Sequence, residues 1–169
     1  MPQILCEKYN LVLAMRPDRI VVGEVRGAES FELTRAVNAG CGFLCTIHAN
    51  GARDALNALV NAALMAGENV TETIVRKVFL GALDIIVHVD RDDAARSEGR
   101  VRRQITEISA VVPSLGAGDT CEPLFVREAL GHPLEWTGAL PPGLEARVDR
   151  VLPRGTTVRS LIERGRASG

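Results

Sequence analysis

The side chains best suited to chemistry in this chain are a carboxylate, a guanidinium and an imidazole. Glu24 and Arg26 close the run Met15-Arg16-Pro17-Asp18-Arg19-Ile20-Val21-Val22-Gly23-Glu24-Val25-Arg26-Gly27, and His48 follows Gly42-Phe43-Leu44-Cys45-Thr46-Ile47. A carboxylate that ends an apolar run can orient water toward a phosphate or hold a magnesium-bound water. Nearby guanidinium and imidazole groups stabilise charge on a transferring phosphoryl group. Gly23, which lacks a Cβ and lets a backbone approach a ligand or neighbour closely, and Thr46 are the candidate ligand-contacting positions beside them.

Those groups work only if strands deliver them to one place. Ile20-Val21-Val22 to Val25 has almost no polar interruption and predicts a parallel strand covered on both faces. Glu24 then lies at the carboxyl end of the strand, where open α/β sheets bind their ligands. From Ala28 to Ala39 the pattern is helical: Leu33, Ala36 and Val37 share a face, Glu29 and Glu32 occupy the first turns, and Gly40 is the stop. Gly42 to Ile47 predicts a second strand that ends in the polar turn His48-Ala49-Asn50-Gly51. If the two strands are neighbours, residues 24 and 48 share a sheet edge, one or two strand spacings apart.

A helix from about Arg53 to Ala66 carries its stripe at Leu56, Leu59, Val60, Ala63 and Leu64, and Gly67 closes it. Thr71 caps another helix with Ile74, Val75, Val78, Phe79 and Ala82 on one face. Asp84 to Val89 reads as a third strand, from which His88 is expected to face outward. This alternation predicts a largely parallel α/β layer. Arg91 to Arg100 is a charged turn tipped by Ser97-Glu98-Gly99, and Val101 to Val112 returns as a long strand. Its apolar parity changes between Ile105 and Ile108, the mark of a bulge near Thr106 or Glu107. Beyond Pro113, Gly and Pro punctuate a short strand at Leu124 to Arg127, an extended Leu134-Glu135-Trp136, the turn Pro141-Pro142-Gly143 and a helix from Thr156 to Arg164. Trp136 is expected to cover the edge of the core. Residues 1–112 form the main unit in this reading, and 113–169 a peripheral extension.

Composition narrows the partners. With 46% apolar residues over 169 positions, the chain can bury a core. Twenty basic and twenty-one acidic side chains give a formal charge of −1, so no global field recruits nucleic acid or anionic lipid. No window approaches the roughly 18 apolar residues of a membrane span, and the first eight residues lack the regions of a signal peptide. The cytoplasm is the expected compartment. Cysteines at 6, 41, 45 and 121 show no CxxC spacing, which favours reduced, mostly buried thiols. Cys41, Cys45 and His48 lack a fourth ligand for zinc and fit poorly on a strand, so no metal centre is expected from them.

The stretch Arg16 to Gly27 resembles the Walker B region of the secretion and pilus-assembly traffic ATPases, and Cys45-Thr46-Ile47-His48-Ala49-Asn50 resembles their His box. Both stand in family order and spacing. The helix start Arg53-Asp54-Ala55-Leu56 and the segment Leu64-Met65-Ala66-Gly67 extend the likeness over residues 11–112, most closely to the tight-adherence (Flp) pilus branch of the type II/IV secretion ATPases. The resemblance implies an α/β fold, the core fragment of a RecA-like P-loop NTPase with a C-terminal extension. It implies ATP and Mg2+ as cofactors, Glu24 as the Walker B catalytic glutamate, His48 near the terminal phosphate and Arg26 linking the site to a subunit interface. It further implies a homo-hexamer that is cytoplasmic and peripheral at the inner membrane, partnered by inner-membrane platform proteins and not by nucleic acid.

Two departures qualify the likeness. The phosphate-binding loop G-x-x-x-x-G-K-[ST] is expected upstream of residue 11, yet no Gly-Lys dipeptide occurs anywhere in the chain. The turn ahead of the His box usually carries Gly-His, where this chain has Gly40-Cys41. Two readings stay open: the C-terminal part of a motor ATPase, inactive on its own, or a truncated, non-catalytic paralogue that regulates or docks onto the hexamer.

Overall fold

The structure, a computed structural model, describes residues 11–67, 69–92, 102–113 and 121–167. The expected turn tip at Ser97-Glu98-Gly99 and the cysteine at position 6 lie outside the described residues.

The two apolar runs form β1 (Arg19–Val25) and β2 (Gly42–Ile47), joined by α1 (Glu29–Asn38). They pair in parallel, Ile20 opposite Phe43 and Val22 opposite Cys45, and α1 supplies the crossover that a parallel pair requires. Gly40 at φ +81° turns the chain out of α1, a left-handed conformation that suits a residue without Cβ. Two further helices, α2 (Ala52–Leu64) and α3 (Glu72–Ala82), follow. Their apolar stripes meet: Leu56, Leu59, Val60, Val75 and Phe79 pack with Val25 of β1 and Leu33 of α1 into the main core. Phe79 meets Phe43 edge to face with ring centroids 6.3 Å apart, a favoured aromatic geometry. Polar pins cross the same layer. Ser30 Oγ donates to the Leu59 carbonyl at 2.8 Å, and both terminal nitrogens of Arg76 donate to Asn57 Oδ1 at 3.0 Å. Thr71 holds the N-cap position of α3, but its side chain makes no capping hydrogen bond.

Coverage of β1 on both faces does not hold within the described residues. The helices cover the face carrying Ile20, Val22 and Cys45, whereas Val21 is 76% and its register partner Leu44 is 56% exposed. Strand alternation puts those two side chains on the opposite face, where none of the described elements packs them away.

The largely parallel layer is corrected as well. The third strand does not join β1 and β2; β3 (Ile85–Asp92) heads an antiparallel sheet with β4 (Arg102–Val111), β5 (Cys121–Val126) and β6 (Glu135–Trp136). A connection of hairpin length between β3 and β4 is too short for a parallel crossover, so the pair runs antiparallel. Among the described residues, neither β2 nor β3 has a strand partner on the sides that face each other. Between them lies a cleft of about 640 Å³, lined by residues 43–47 and 85–89.

The bulge expected near Thr106 or Glu107 is present. His88 pairs with Glu107 and Val89 with Ile105, which leaves Thr106 without a register partner on β3. Pro141-Pro142-Gly143, expected as a turn, instead opens α4 (Pro142–Asp149), because proline in a first helical turn loses only an N–H that has no helical acceptor. Leu144 of α4 packs on Ala110 and Leu124, and Arg147 meets Asp84 at 2.7 Å, so the C-terminal region is seated on the antiparallel sheet. Trp136 is half-buried; its Nε1 donates to the Ala139 carbonyl, and Arg159 of α5 (Val158–Ala167) lies 5.9 Å from its ring centroid.

Candidate functional site

A break in strand register places the carboxylate. Val22 pairs with Cys45 but Val25 pairs with Ile47, so β1 spends one residue more than β2 across Gly23-Glu24. Without that extra residue the alternation set by Ile20 and Val22 would drive residue 24 into the core. With it, Val25 turns inward and is 2% exposed, while Glu24 stays at the sheet's end. Thr46 Oγ1 donates to the Gly23 carbonyl at 2.5 Å and pins this irregular step from β2. Apart from Gly23 and its two chain neighbours, no described atom lies within 4 Å of the point a Cβ on Gly23 would occupy, so the backbone there is open to approach.

The structure brings Glu24, Arg26 and His48 together. Glu24 Oε2 meets the Arg26 guanidinium at 2.5 Å, and Glu24 Oε1 meets His48 Nε2 at 3.0 Å. Arg26 follows two residues along the same strand end; His48 stands one residue past β2 on the adjacent parallel strand. The hydrogen bond from Arg26 is the main reason the Glu24 carboxyl is held below the usual carboxylate range; desolvation opposes it, and the charges of Arg26 and His48 add to it. The Arg26 guanidinium is pushed up in return, chiefly by the same hydrogen bond. With side-chain exposures of 27% for Glu24, 76% for Arg26 and 94% for His48, these contacts add little to stability. An ionised carboxylate with a guanidinium on one side and an imidazole on the other, facing solvent, can orient water and receive its proton.

Neighbouring groups fix this cluster, and sequence reading missed them. Glu29, read only as a favourable first-turn acid, folds back so that Oε1 accepts from the amides of Arg26 at 2.5 Å and Gly27 at 3.0 Å. Burial raises its pKa, but those amide hydrogen bonds outweigh it and hold the carboxyl below its usual range. His88 does not simply face outward. It is half-buried, with Nδ1 2.8 Å from Thr106 Oγ1 and Nε2 3.3 Å from the carbonyl of Ala49, the residue after His48. Glu107 Oε2 accepts from the Ala52 amide at 3.4 Å, at the start of α2. The one advance signal for these contacts was the parity change between Ile105 and Ile108.

The zinc arrangement weighed for Cys41, Cys45 and His48 does not assemble. Cys41 is buried with Ile20 and Ala36 near the start of β2, Cys45 packs against the main core with its thiol pushed up by burial, and His48 projects past the strand's other end. Among the described residues, no group of three or more His, Cys, Asp or Glu side chains converges.

Known proteins share both the sequence and the fold. The family model described as "Type II/IV secretion system protein" matches residues 8–104. A Mycobacterium tuberculosis protein named for conjugal transfer is 36% identical over 100 residues, which cover 59% of this chain and 26% of the relative. The conjugal transfer protein TrbB of Rhizobium radiobacter is 36% identical over 94 residues, covering 55% and 27% respectively. This chain therefore spans about a quarter of the length of those curated relatives. Among solved structures, the VirB11 ATPase of the Brucella suis type IV secretion system, determined with sulphate, superposes with a TM-score of 0.51 at 24% identity. That match covers 62% of this chain and 32% of the other, and it shows a shared fold.

Proposed function

Because the chain belongs to the type II/IV secretion system protein family, we propose that Glu24, Arg26 and His48 form the water-activating part of an ATP-hydrolysing motor site. The observation that carries this reading is the Glu24 carboxylate held between Arg26 and His48 at the carboxyl ends of two adjacent parallel strands. Glu24 orients the attacking water and accepts its proton as the general base. His48, nearly free in solvent, reaches the oxygens of the terminal phosphate, while Arg26 holds Glu24 ionised and extends toward a neighbouring subunit. Gly23 and Thr46 border the nucleotide on the uncovered face.

The donor set suits a nucleotide-borne Mg2+. Glu24 offers one partly exposed carboxylate, and Mg2+ is commonly bound by one or two carboxylates together with substrate phosphates and water. Such an ion would neutralise phosphate charge; Glu24 would hold one of its waters. What the chain lacks is a glycine-rich loop with its lysine, whose backbone N–H groups cradle the phosphates. The catalytic fragment is therefore RecA-like with Walker B and the His box but no Walker A, residues 1–112 carry the site, and 113–169 form an extension. Within a longer assembly it acts as a hexamer at the cytoplasmic side of the inner membrane, with platform proteins, in type II/IV secretion or Flp pilus assembly.

Reading the coding DNA upstream tests this. An in-frame Gly-Lys-Thr or Gly-Lys-Ser loop is expected, and the protein it encodes should lose about 10²–10⁴-fold in kcat on Glu24→Gln, the range for removing a general base. Unchanged turnover in that variant would sink the assignment. Residues 1–169 alone should show background turnover only; robust hydrolysis lost on Glu24→Gln would overturn that. The missing Gly-Lys dipeptide also favours a second reading, a non-catalytic paralogue that docks onto the hexamer, and an upstream frame with no phosphate loop would select it.

A further inference from the structure

We propose that the bulged β3–β4 hairpin clamps the turn that carries His48, with His88 as the positioning residue for His48; the functional meaning of the clamp rests on the reading of Glu24 and His48 as a working pair. In a regular strand, consecutive side chains point to opposite faces, so Thr106 and Glu107 could not both serve one neighbour. The bulge at Thr106 removes that restriction. Thr106 reaches the ring of His88, and Glu107, the cross-strand partner of His88, reaches the Ala52 amide. The two ends of the turn are thus held from one hairpin: the Ala49 carbonyl by His88 and the Ala52 amide by Glu107. Ser109 Oγ donates to Glu107 Oε1 at 2.5 Å, which leaves Oε2 aimed at α2.

The hydrogen-bond chemistry fixes a proton on Nε2. A carbonyl oxygen only accepts, so Nε2 of His88 carries the proton that reaches Ala49, while Nδ1 pairs with the Thr106 hydroxyl, whose oxygen also lies 3.5 Å from the His88 carbonyl. Thr106 orients the ring, the ring holds Ala49, and Ala49 is covalently next to His48. His48 itself is 94% exposed and, among the described residues, Glu24 is its ionic contact, so its placement depends on the backbone beneath it. A strap from the second sheet onto that backbone supplies the pre-organisation that a phosphate-facing group requires.

Nuclear magnetic resonance on the whole 169-residue chain tests this without nucleotide. The unsubstituted chain should show a nuclear Overhauser contact between the His48 ring and the Glu24 side chain. In His88→Ala that contact should vanish, and release of the turn at Ala49 should also loosen the bond from the Ala52 amide to Glu107, so that this amide exchanges about fivefold faster, the change expected when one hydrogen bond is lost. Amide shifts along the β1–β2 pairing should stay in place. His88→Gln, whose terminal amide N–H sits where Nε2 does, should restore both signals; His88→Asn, which mimics Nδ1, should not. Both signals unchanged in His88→Ala, or equal rescue by Asn and Gln, would overturn the clamp. Absence of the His48–Glu24 contact in the unsubstituted chain would instead defeat the functional reading, while Ala52 exchange still decides the clamp. If His88→Ala does not fold, Thr106→Val, which removes only the ring-orienting hydroxyl, is expected to move both signals the same way and is judged by the same criteria.

Discussion

Glu24 is useful because it is ionised and only partly spoken for. Its lowered pKa follows mainly from the Arg26 hydrogen bond, so Arg26→Ala should move the carboxyl midpoint upward toward the ordinary glutamate range, read by carbon-13 titration of the side chain. The sign of the pH effect follows. A folded-state pKa below the unfolded value means the ion-pair contribution is complete above the ordinary glutamate range and is lost as pH falls through the lowered value. Exposure keeps that contribution small, so acid should release His48 and Arg26 from Glu24 before the fold itself yields. Glu24, Arg26 and His48 were legible as candidates because charged side chains end apolar runs at fixed places in the chain. Glu29 and His88 were not, since Glu29 accepts from backbone amides and His88 reaches the Thr106 hydroxyl 18 residues away and the Ala49 carbonyl 39 residues away.

At the scale of elements, two irregular strands do what regular ones could not. The extra residue in β1 keeps Glu24 out of the core and turns Val25 in; the extra residue in β4 lets Thr106 reach the His88 ring while Glu107 reaches the Ala52 amide. The second was foreshadowed by a parity change in a ten-residue strand. The first was masked, because Gly23 and Glu24 read equally well as the ordinary end of a strand. The helices that fix these strands depend on one shared core. Phe79 is fully buried against Phe43 and the α2 stripe, so Phe79→Ala should cost about 3–5 kcal/mol in denaturant unfolding. A loss under about 1 kcal/mol would mean that α3 is not seated as described.

The whole molecule is covered on one side of its parallel sheet. Among the described residues nothing covers the face on which Val21 and Leu44 sit side by side, and no strand fills the cleft between β2 and β3 nearby. Contiguous exposed apolar surface promotes association, so the double variant Val21→Thr, Leu44→Thr should shift the isolated chain toward monomer in size-exclusion chromatography with light scattering. Unfolding free energy should change by no more than about 0.5 kcal/mol per site, as for exposed positions. A large destabilisation would show that these side chains are packed after all. Strand and helix identities up to Val112, the family resemblance and the candidate acid, base and cation could be read from local order, because apolar period and the charge that ends a run are properties of neighbouring residues; α4, opened by prolines that read as a turn, could not. Which strands pair, which sheet face stays open and which distant side chain holds the His48 turn depended on how the chain closes on itself. Register shifts of one residue and contacts across dozens of positions leave almost no local trace, so only the tertiary structure decided them.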